Sequence, residues 1–257
     1  MQEISHLQRS EIHLWFADLN SLDRLAGSNE FAHWLHAAER DRFNRYKSQN
    51  QREQFLLGRV LLKTVLSRYA GCAPTDLKFD IGIRGKPFLN LNSPLSLSFN
   101  LSHSGNRLVI AVSRNKDLGV DLEIIKKERA ILKIAERFFS SSEIRGLKNL
   151  AKASQVRRFY ELWTLKESVV KAYGYGLSRR LSEIEFSFPA SDKLVMHSSP
   201  GIGNLIHWQS WQIKESENYM LALSVRSSEI KINKIKSYDF ISLSETLVRE
   251  TTIIRSS

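Results

Sequence analysis

Apolar positions along this chain repeat with two periods, and the switches between them outline the fold. Glu11 to Leu19 (EIHLWFADL) alternates in part and predicts a first strand. Glu30 to Ala70 reads as helix, with a break expected around Ser48-Gln49-Asn50. Its second half carries Phe55, Leu56, Val60, Leu62, Val65 and Leu66 at mixed three- and four-residue spacing, and Gly71 and Pro74 close it. Lys78 to Ile83 predicts a short strand before the turn-like Arg84-Gly85-Lys86-Pro87. Leu95–Leu101 and Arg107–Val112 predict two strands, joined by a tight hairpin at the polar Ser104-Gly105-Asn106. Leu118 to Ile124 predicts another.

The pattern then turns helical. Ile131 to Phe139 forms one unit, and Ser140-Ser141-Ser142-Glu143 has the form of an N-terminal cap for the next. A long helix is expected from about Ser154 to Tyr173, stopped by Gly174 and Gly176. Strands return at Ile184–Phe188, Ile206–Ile213 and Tyr219–Val225. The strand, helix and hairpin order therefore occurs twice, with the switch near Lys116–Gly119. The expected fold class is α+β in two similar-sized halves, residues 1–117 and 118–228. The tail, residues 229–257, is polar and basic with scattered apolar residues and gives no clear element.

Composition narrows the class. At 257 residues and 42% hydrophobic content the chain can bury a sizeable core. Its single cysteine, Cys72, excludes an internal disulfide framework and a cysteine-based zinc site. With no secretory h-region and no run of about 18–20 apolar residues, a cytoplasmic protein without a membrane span is expected. The net charge of +11 favours a polyanionic partner. Nucleic acid would satisfy the charge, but no helix-turn-helix, zinc finger or RNA-recognition signature accompanies it.

Three segments carry candidate chemistry. In a strand, Asp121 and Glu123 share a face while Val120, Leu122 and Ile124 take the other. Two like charges side by side repel, and a hard cation such as Mg²⁺ or Mn²⁺ would relieve them. A solvated acidic strand edge is the plain alternative. Glu167 and Lys171 lie four apart on one helical face, in a segment whose Tyr160, Trp163, Leu165, Val169 and Val170 imply a packed helix. Ordinary surface pairs have the same spacing. Asn100-Leu101-Ser102-His103-Ser104 offers hydroxyl and imidazole donors at a hairpin, suited to phosphate oxygens, and Lys86 could add an ammonium. Adjacent strand residues point apart, so Ser102 and His103 do not form a serine–base pair, and no G-x-S-x-G elbow is present. A metal-dependent phosphodiesterase would use the same three carboxylates.

Taken together, these segments resemble the 4′-phosphopantetheinyl transferases of the Sfp type. The matching stretches are RGKPFL (Arg84–Leu89), FNLSHSG (Phe99–Gly105), GVDLE (Gly119–Glu123), AERFFSSSE (Ala135–Glu143) and FYELWTLKESVVKAYGYGL (Phe159–Leu177). They span the middle hundred residues or so. The resemblance implies a pseudodimer of two α+β halves with the active site, and coenzyme A, between them. It implies transfer of the phosphopantetheine arm to a serine of an acyl or peptidyl carrier protein, with release of adenosine 3′,5′-bisphosphate. Asp121, Glu123 and Glu167 would hold Mg²⁺; Glu167 would also be the base; Lys171 would stabilise the leaving phosphate; Lys86, Ser102 and His103 would hold coenzyme A phosphates. Arg42 is the candidate for the 3′-phosphate, although Gln54 and Phe55 stand where the family leads one to expect a basic or small polar residue. The resemblance further implies an acidic carrier serving fatty-acid, polyketide or peptide synthesis, met by a basic, monomeric enzyme, with Lys126–Phe139 as its docking element.

Overall fold

The strand-forming runs Glu11–Asp18, Arg107–Ser113 and Tyr219–Arg226 are buried on both faces, because at its centre each sheet is covered on one side by a helix and on the other by the second sheet. This computed structural model describes residues 6–20, 29–82, 85–89, 97–115, 117–174, 181–198 and 205–257. Arg84, Gly176 and the Tyr175–Leu177 end of the last matching stretch lie outside them, as do the first residues of the strand expected from Leu95.

One sheet has the order β12-β11-β1-β5-β4, built from β1 (Glu11–Asp18), β4 (Ser98–Ser104), β5 (Arg107–Ser113), β11 (Lys234–Phe240) and β12 (Thr246–Arg249). The other has the order β6-β10-β9-β13-β8-β7. Its strands are β6 (Asp117–Ile124), β7 (Ile184–Ala190), β8 (Lys193–Ser198), β9 (Trp208–Ser216), β10 (Tyr219–Arg226) and β13 (Ile253–Ser256). A small hairpin of β2 (Phe79–Ile81) and β3 (Pro87–Leu89) stands apart. The expected helical stretch 30–70 is a 3₁₀ turn followed by α1 (Ala37–Arg45) and α2 (Gln49–Ala70), broken at Tyr46–Ser48. After β6 come α3 (Ile131–Phe138), α4 (Ser141–Lys148) and the long α5 (Lys152–Tyr173). Ser140 and Glu143 close a capping box on α4, as their spacing predicts.

Period-two alternation sorts each strand between two cores. Trp15 and Ala17 of β1, with Leu108, Ile110 and Val112 of β5, pack on Leu57, Leu61, Val65 and Leu66 of α2. The alternate residues Ile12, Leu14, Phe16, Val109 and Ala111 turn inward, onto Leu118, Val120 and Leu122 of β6 and Leu221, Leu223 and Val225 of β10. Phe159, Leu162, Trp163, Leu165 and Val169 of α5 join Met220 and Ala222 in the third core. The layers run helix, sheet, sheet, helix, and the two halves repeat one plan. Both α2 and α5 end on a glycine in the left-handed region, Gly71 at φ 66° and Gly174 at φ 74°.

The tail, which shows no pattern of its own in the sequence, supplies strands to both sheets. β11 pairs in parallel with β1, Glu11 opposite Lys234, while β13 pairs with β9 in the other half. Arg249 of β12 donates to the Glu215 backbone carbonyl at 2.7 Å, and Arg107 of β5 lies 3.4 Å from the buried Glu215 carboxylate. The first sheet is thus ionically latched to the second.

α5 reaches β6 through a glycine. A Cβ on Gly119 would overlap the Ser168 carbonyl oxygen and meet the Ala172 nitrogen at 2.5 Å. Gly119→Ala is therefore expected to cost about 3 kcal/mol or more of folding stability, since neither backbone can give way without moving the whole helix. Chemical denaturation measures it; an unchanged midpoint would show that the contact is loose.

His13 is fully buried in β1, with its Nδ1 2.7 Å from the Tyr69 hydroxyl. Burial, then the Lys236 ammonium, pushes its imidazole down from 6.5 to about 4, against the smaller opposing pull of Glu11. A depressed folded-state pKa contributes stability above the unfolded value that is lost on acidification. The protein should lose up to about 3 kcal/mol between pH 6.5 and 4 that His13→Gln does not lose. Denaturation midpoints of the two proteins at pH 7.5 and 4.5 provide the comparison, and parallel curves would rule His13 out as the source.

Candidate active site at the seam between the halves

β6 is the edge strand of its sheet, and β4 is the edge of the other. They meet through side chains rather than through a backbone ladder. Asn100 Oδ1 accepts the Val120 N–H at 3.0 Å, Ser102 Oγ accepts the Leu122 N–H at 3.1 Å, and Ser104 Oγ accepts the Ile124 N–H at 3.0 Å. The two seryl hydroxyls also donate, Ser102 to Asp121 Oδ1 at 3.2 Å and Ser104 to Glu123 Oε2 at 3.0 Å.

On its other side this strand meets α5. Lys171 Nζ lies 2.6 Å from Asp121 Oδ1 and 2.9 Å from Ser102 Oγ. Glu167, one turn earlier, is 6% exposed and Asp121 is 4% exposed. Burial, then the charge of Asp121, pushes the Glu167 carboxyl up to about 7, with Glu123 adding and Lys171 opposing. Burial and Asp121 likewise raise Glu123, despite its bond from Ser104. Three carboxylates with one adjacent ammonium thus carry an excess of negative charge in a desolvated place.

The donor set suits a hard divalent cation. Asp121 Oδ2 and Glu167 Oε1 are buried without a hydrogen-bond partner among the described residues. The coordination is not closed: no three His, Cys, Asp or Glu side chains among those residues converge tightly enough to hold a metal as they stand. The Lys171 ammonium is paired with Asp121 Oδ1.

Beside the seam, in the first half, lies a cavity of about 360 Å³. Arg42, Tyr46, Phe55, Arg59, Lys86 and His103 are among the residues lining it. The Arg42 and Arg59 guanidinium carbons stand 5.6 and 5.2 Å from the Phe55 ring centroid. Phe55, out of place by the family pattern, thus sits between two cations as a stacking surface. Lys86 Nζ donates to the Leu118 carbonyl of β6 at 2.8 Å and to the Ala172 carbonyl of α5 at 3.1 Å. Its burial pushes the ammonium down to about 8. His103, on the opposite face of β4 from Ser102, is lowered by desolvation and by the Lys171 charge.

The residues singled out by sequence therefore fall in two adjoining groups. Asp121, Glu123, Glu167, Lys171 and Ser102 meet at the seam; Arg42, Lys86 and His103 line the cavity. The Ser102 hydroxyl accepts from Leu122 and Lys171 and donates to Asp121, which leaves it no spare donor. Lys166, next to Glu167, lies elsewhere. It is fully buried, 2.6 Å from Glu143, and donates to the Leu181 and Ile184 carbonyls, pinning α5 to α4 and the chain entering β7. Sequence reading passed over Arg59, and it placed Asn100, Ser104 and Gly119 inside motifs without giving them a role of their own. Asn100 and Ser104 were visible as the polar face of an alternating strand, and Gly119 as the small residue beside a carboxylate pair. Arg59 carries no local signal.

Residues 117–224 match the family model described as the 4′-phosphopantetheinyl transferase superfamily, and residues 27–115 match 4′-phosphopantetheinyl transferase, N-terminal. The 4′-phosphopantetheinyl transferase HetI of Nostoc sp. is 31% identical over 220 residues, 85% of this chain and 89% of that protein. The 4′-phosphopantetheinyl transferase Sfp of Bacillus subtilis is 35% identical over 151 residues, 59% of this chain and 65% of that protein. Among solved structures, a holo-(acyl-carrier-protein) synthase from Bacillus anthracis in complex with CoA (3′,5′-ADP) aligns with 44% of this chain at a TM-score of 0.37 and 20% identity. With two family models tiling both halves and HetI matched over most of its length, the chain belongs to the 4′-phosphopantetheinyl transferases, enzymes that move phosphopantetheine from coenzyme A to a carrier protein.

Proposed function

We propose that this enzyme transfers the 4′-phosphopantetheine group to a carrier serine in a Mg²⁺-dependent reaction, releasing adenosine 3′,5′-bisphosphate, with Asp121, Glu123 and Glu167 as the metal ligands. The observation that carries this reading is the pair of buried, unpartnered oxygens, Asp121 Oδ2 and Glu167 Oε1, beside a cationic cavity. Bound there, Mg²⁺ (or Mn²⁺) would neutralise pyrophosphate charge.

The chain's own residues would do the rest. Arg42, Lys86 and His103 line the cavity and would hold the nucleotide phosphates, with Phe55 and Arg59 completing its wall. The carrier serine oxygen attacks the β-phosphorus of coenzyme A, and the bond from that phosphorus to the bridging oxygen breaks. Glu167 would take the serine proton. Lys171 would leave Asp121 and carry its ammonium to the departing phosphate. Phosphoryl transfer needs this kind of placement and charge balance more than covalent help.

The boundaries 1–117 and 118–228, with 229–257 as a tail shared by both halves, are proposed as the functional division. A single chain holding both halves and their connecting tail supports a monomer. An acidic carrier, rather than nucleic acid or a membrane, is the proposed macromolecular partner: the family's action on carrier proteins supports it, and the charge of +11 suits it, with the exposed Lys126, Lys127 and Lys133 of the Lys126–Phe139 segment available to meet it. Among the described residues no helix is long and apolar enough to cross a membrane. A cytoplasmic location and service to fatty-acid, polyketide or peptide carriers complete the proposal.

Intact-mass measurement of an apo carrier protein incubated with enzyme, coenzyme A and Mg²⁺ tests the reaction. A gain of about 340 Da, the mass of the transferred arm, is expected, abolished by EDTA and reduced at least a thousandfold in rate by Asp121→Ala or Glu167→Ala. Transfer that persists in EDTA would remove the metal from the reaction. A second prediction concerns the cavity. Arg59→Ala should raise KM for coenzyme A about tenfold while kcat changes less than threefold, because binding is lost equally in ground and transition states. A fall in kcat with unchanged KM would place Arg59 outside the nucleotide site.

A further inference from the structure

The contact between β4 and β6 has a repeat with a meaning beyond cohesion. Ser102 and Ser104 do the same two things, one register step apart. Each Oγ accepts the N–H of the residue that follows a carboxylate, Leu122 after Asp121 and Ile124 after Glu123, and each donates its own proton to that carboxylate. Asn100 takes the equivalent N–H, that of Val120, but the preceding residue is Gly119 and there is no carboxylate to hold. The first half thus grips backbone and side chain together at each acidic position, and backbone alone where there is none. A carboxylate fixed at one oxygen by a short, backbone-anchored donor keeps a restricted set of rotamers, which is what oriented metal ligands need.

We infer that Ser104 is a positioning residue for Glu123, as Ser102 is for Asp121, so that the carboxylates of the second half are aimed by two serines of the first. Ser104 touches no reacting atom in this arrangement; it acts through Glu123. Its hydroxyl donates to Oε2, leaving Oε1 and the second lone pair of Oε2 for a cation. The inference rests on the reading of Asp121, Glu123 and Glu167 as metal ligands.

Binding of Mn²⁺ to the intact enzyme with coenzyme A present, followed by the loss of the free Mn²⁺ electron paramagnetic resonance signal, separates the possibilities. Ser104→Ala should weaken Mn²⁺ binding at least fivefold, and Ser104→Thr, which keeps the hydroxyl, should recover most of it. Asn100→Ala removes the neighbouring stitch without touching a carboxylate, so it should lower the denaturation midpoint and leave Mn²⁺ affinity within twofold of wild type. If Ser104→Ala does not fold, Ser104→Cys, which keeps the volume and weakens both hydrogen bonds, is read in its place. Equal Mn²⁺ affinity in wild type and Ser104→Ala would overturn the positioning role while leaving the metal site intact. Equal weakening by Asn100→Ala and Ser104→Ala would overturn it in favour of a general loosening of the seam. No Mn²⁺ binding by the wild-type enzyme would overturn the metal reading and this inference with it.

Discussion

The geometry of the candidate site depends on how two sheet edges are joined. An edge strand presents free N–H groups that must find partners, and the usual solutions are another strand, charge or burial under a loop. Here β6 finds Asn100, Ser102 and Ser104, three short side chains on alternate positions of β4. A backbone ladder would have put a plain strand beside the carboxylates. Side chains instead leave room at the seam for polar groups, and they let one edge set the orientation of the other. The helix α5 closes the third side only because Gly119 lets its backbone lie directly on β6. Asp121, Glu123, Glu167 and Lys171 are within reach of one another as a result of these two contacts.

The electrostatics follow from that closeness. Burial and mutual repulsion raise Glu123 and Glu167, and one ammonium is too little to offset three carboxylates. In a fold selected for stability alone, such a cluster would be a net cost. It persists where a cationic ligand supplies what is missing. The neighbouring cavity, with Arg42, Arg59 and Lys86 in its wall, has the opposite excess. A polyanionic substrate laid across both, with its cation, would balance the two at once.

Much of this was legible in the sequence because it is local. The alternation of Val120, Leu122 and Asp121, Glu123 marked a strand with one apolar and one acidic face, and the structure puts those faces against the first sheet and α5 respectively. The stop of α5 at Gly174 and the box Ser140–Glu143 rest on backbone chemistry that a few residues carry by themselves. The tail strands did not show. β11 and β13 gain their partners from β1, β8 and β9, far away in sequence, and Ile232, Tyr238 and Phe240 are too sparse to signal a strand unaided. Arg59 escaped notice because its importance comes from Phe55 and the cavity, which exist only after folding. Lys166 stands next to Glu167 in the sequence, yet one position on a helix turns a side chain by roughly 100°, enough to carry it away from the site and into the core.

The parallel pairing of β11 with β1 joins the end of the chain to its beginning. During synthesis the β1 edge of the first sheet waits unpaired until Lys234–Phe240 have been made, and β13 reaches the second sheet later still. Neither half can therefore be finished in the order in which it is made. Residues 84–177 hold every motif of the candidate site, yet both sheets stay incomplete until the strands within residues 234–256 have been made.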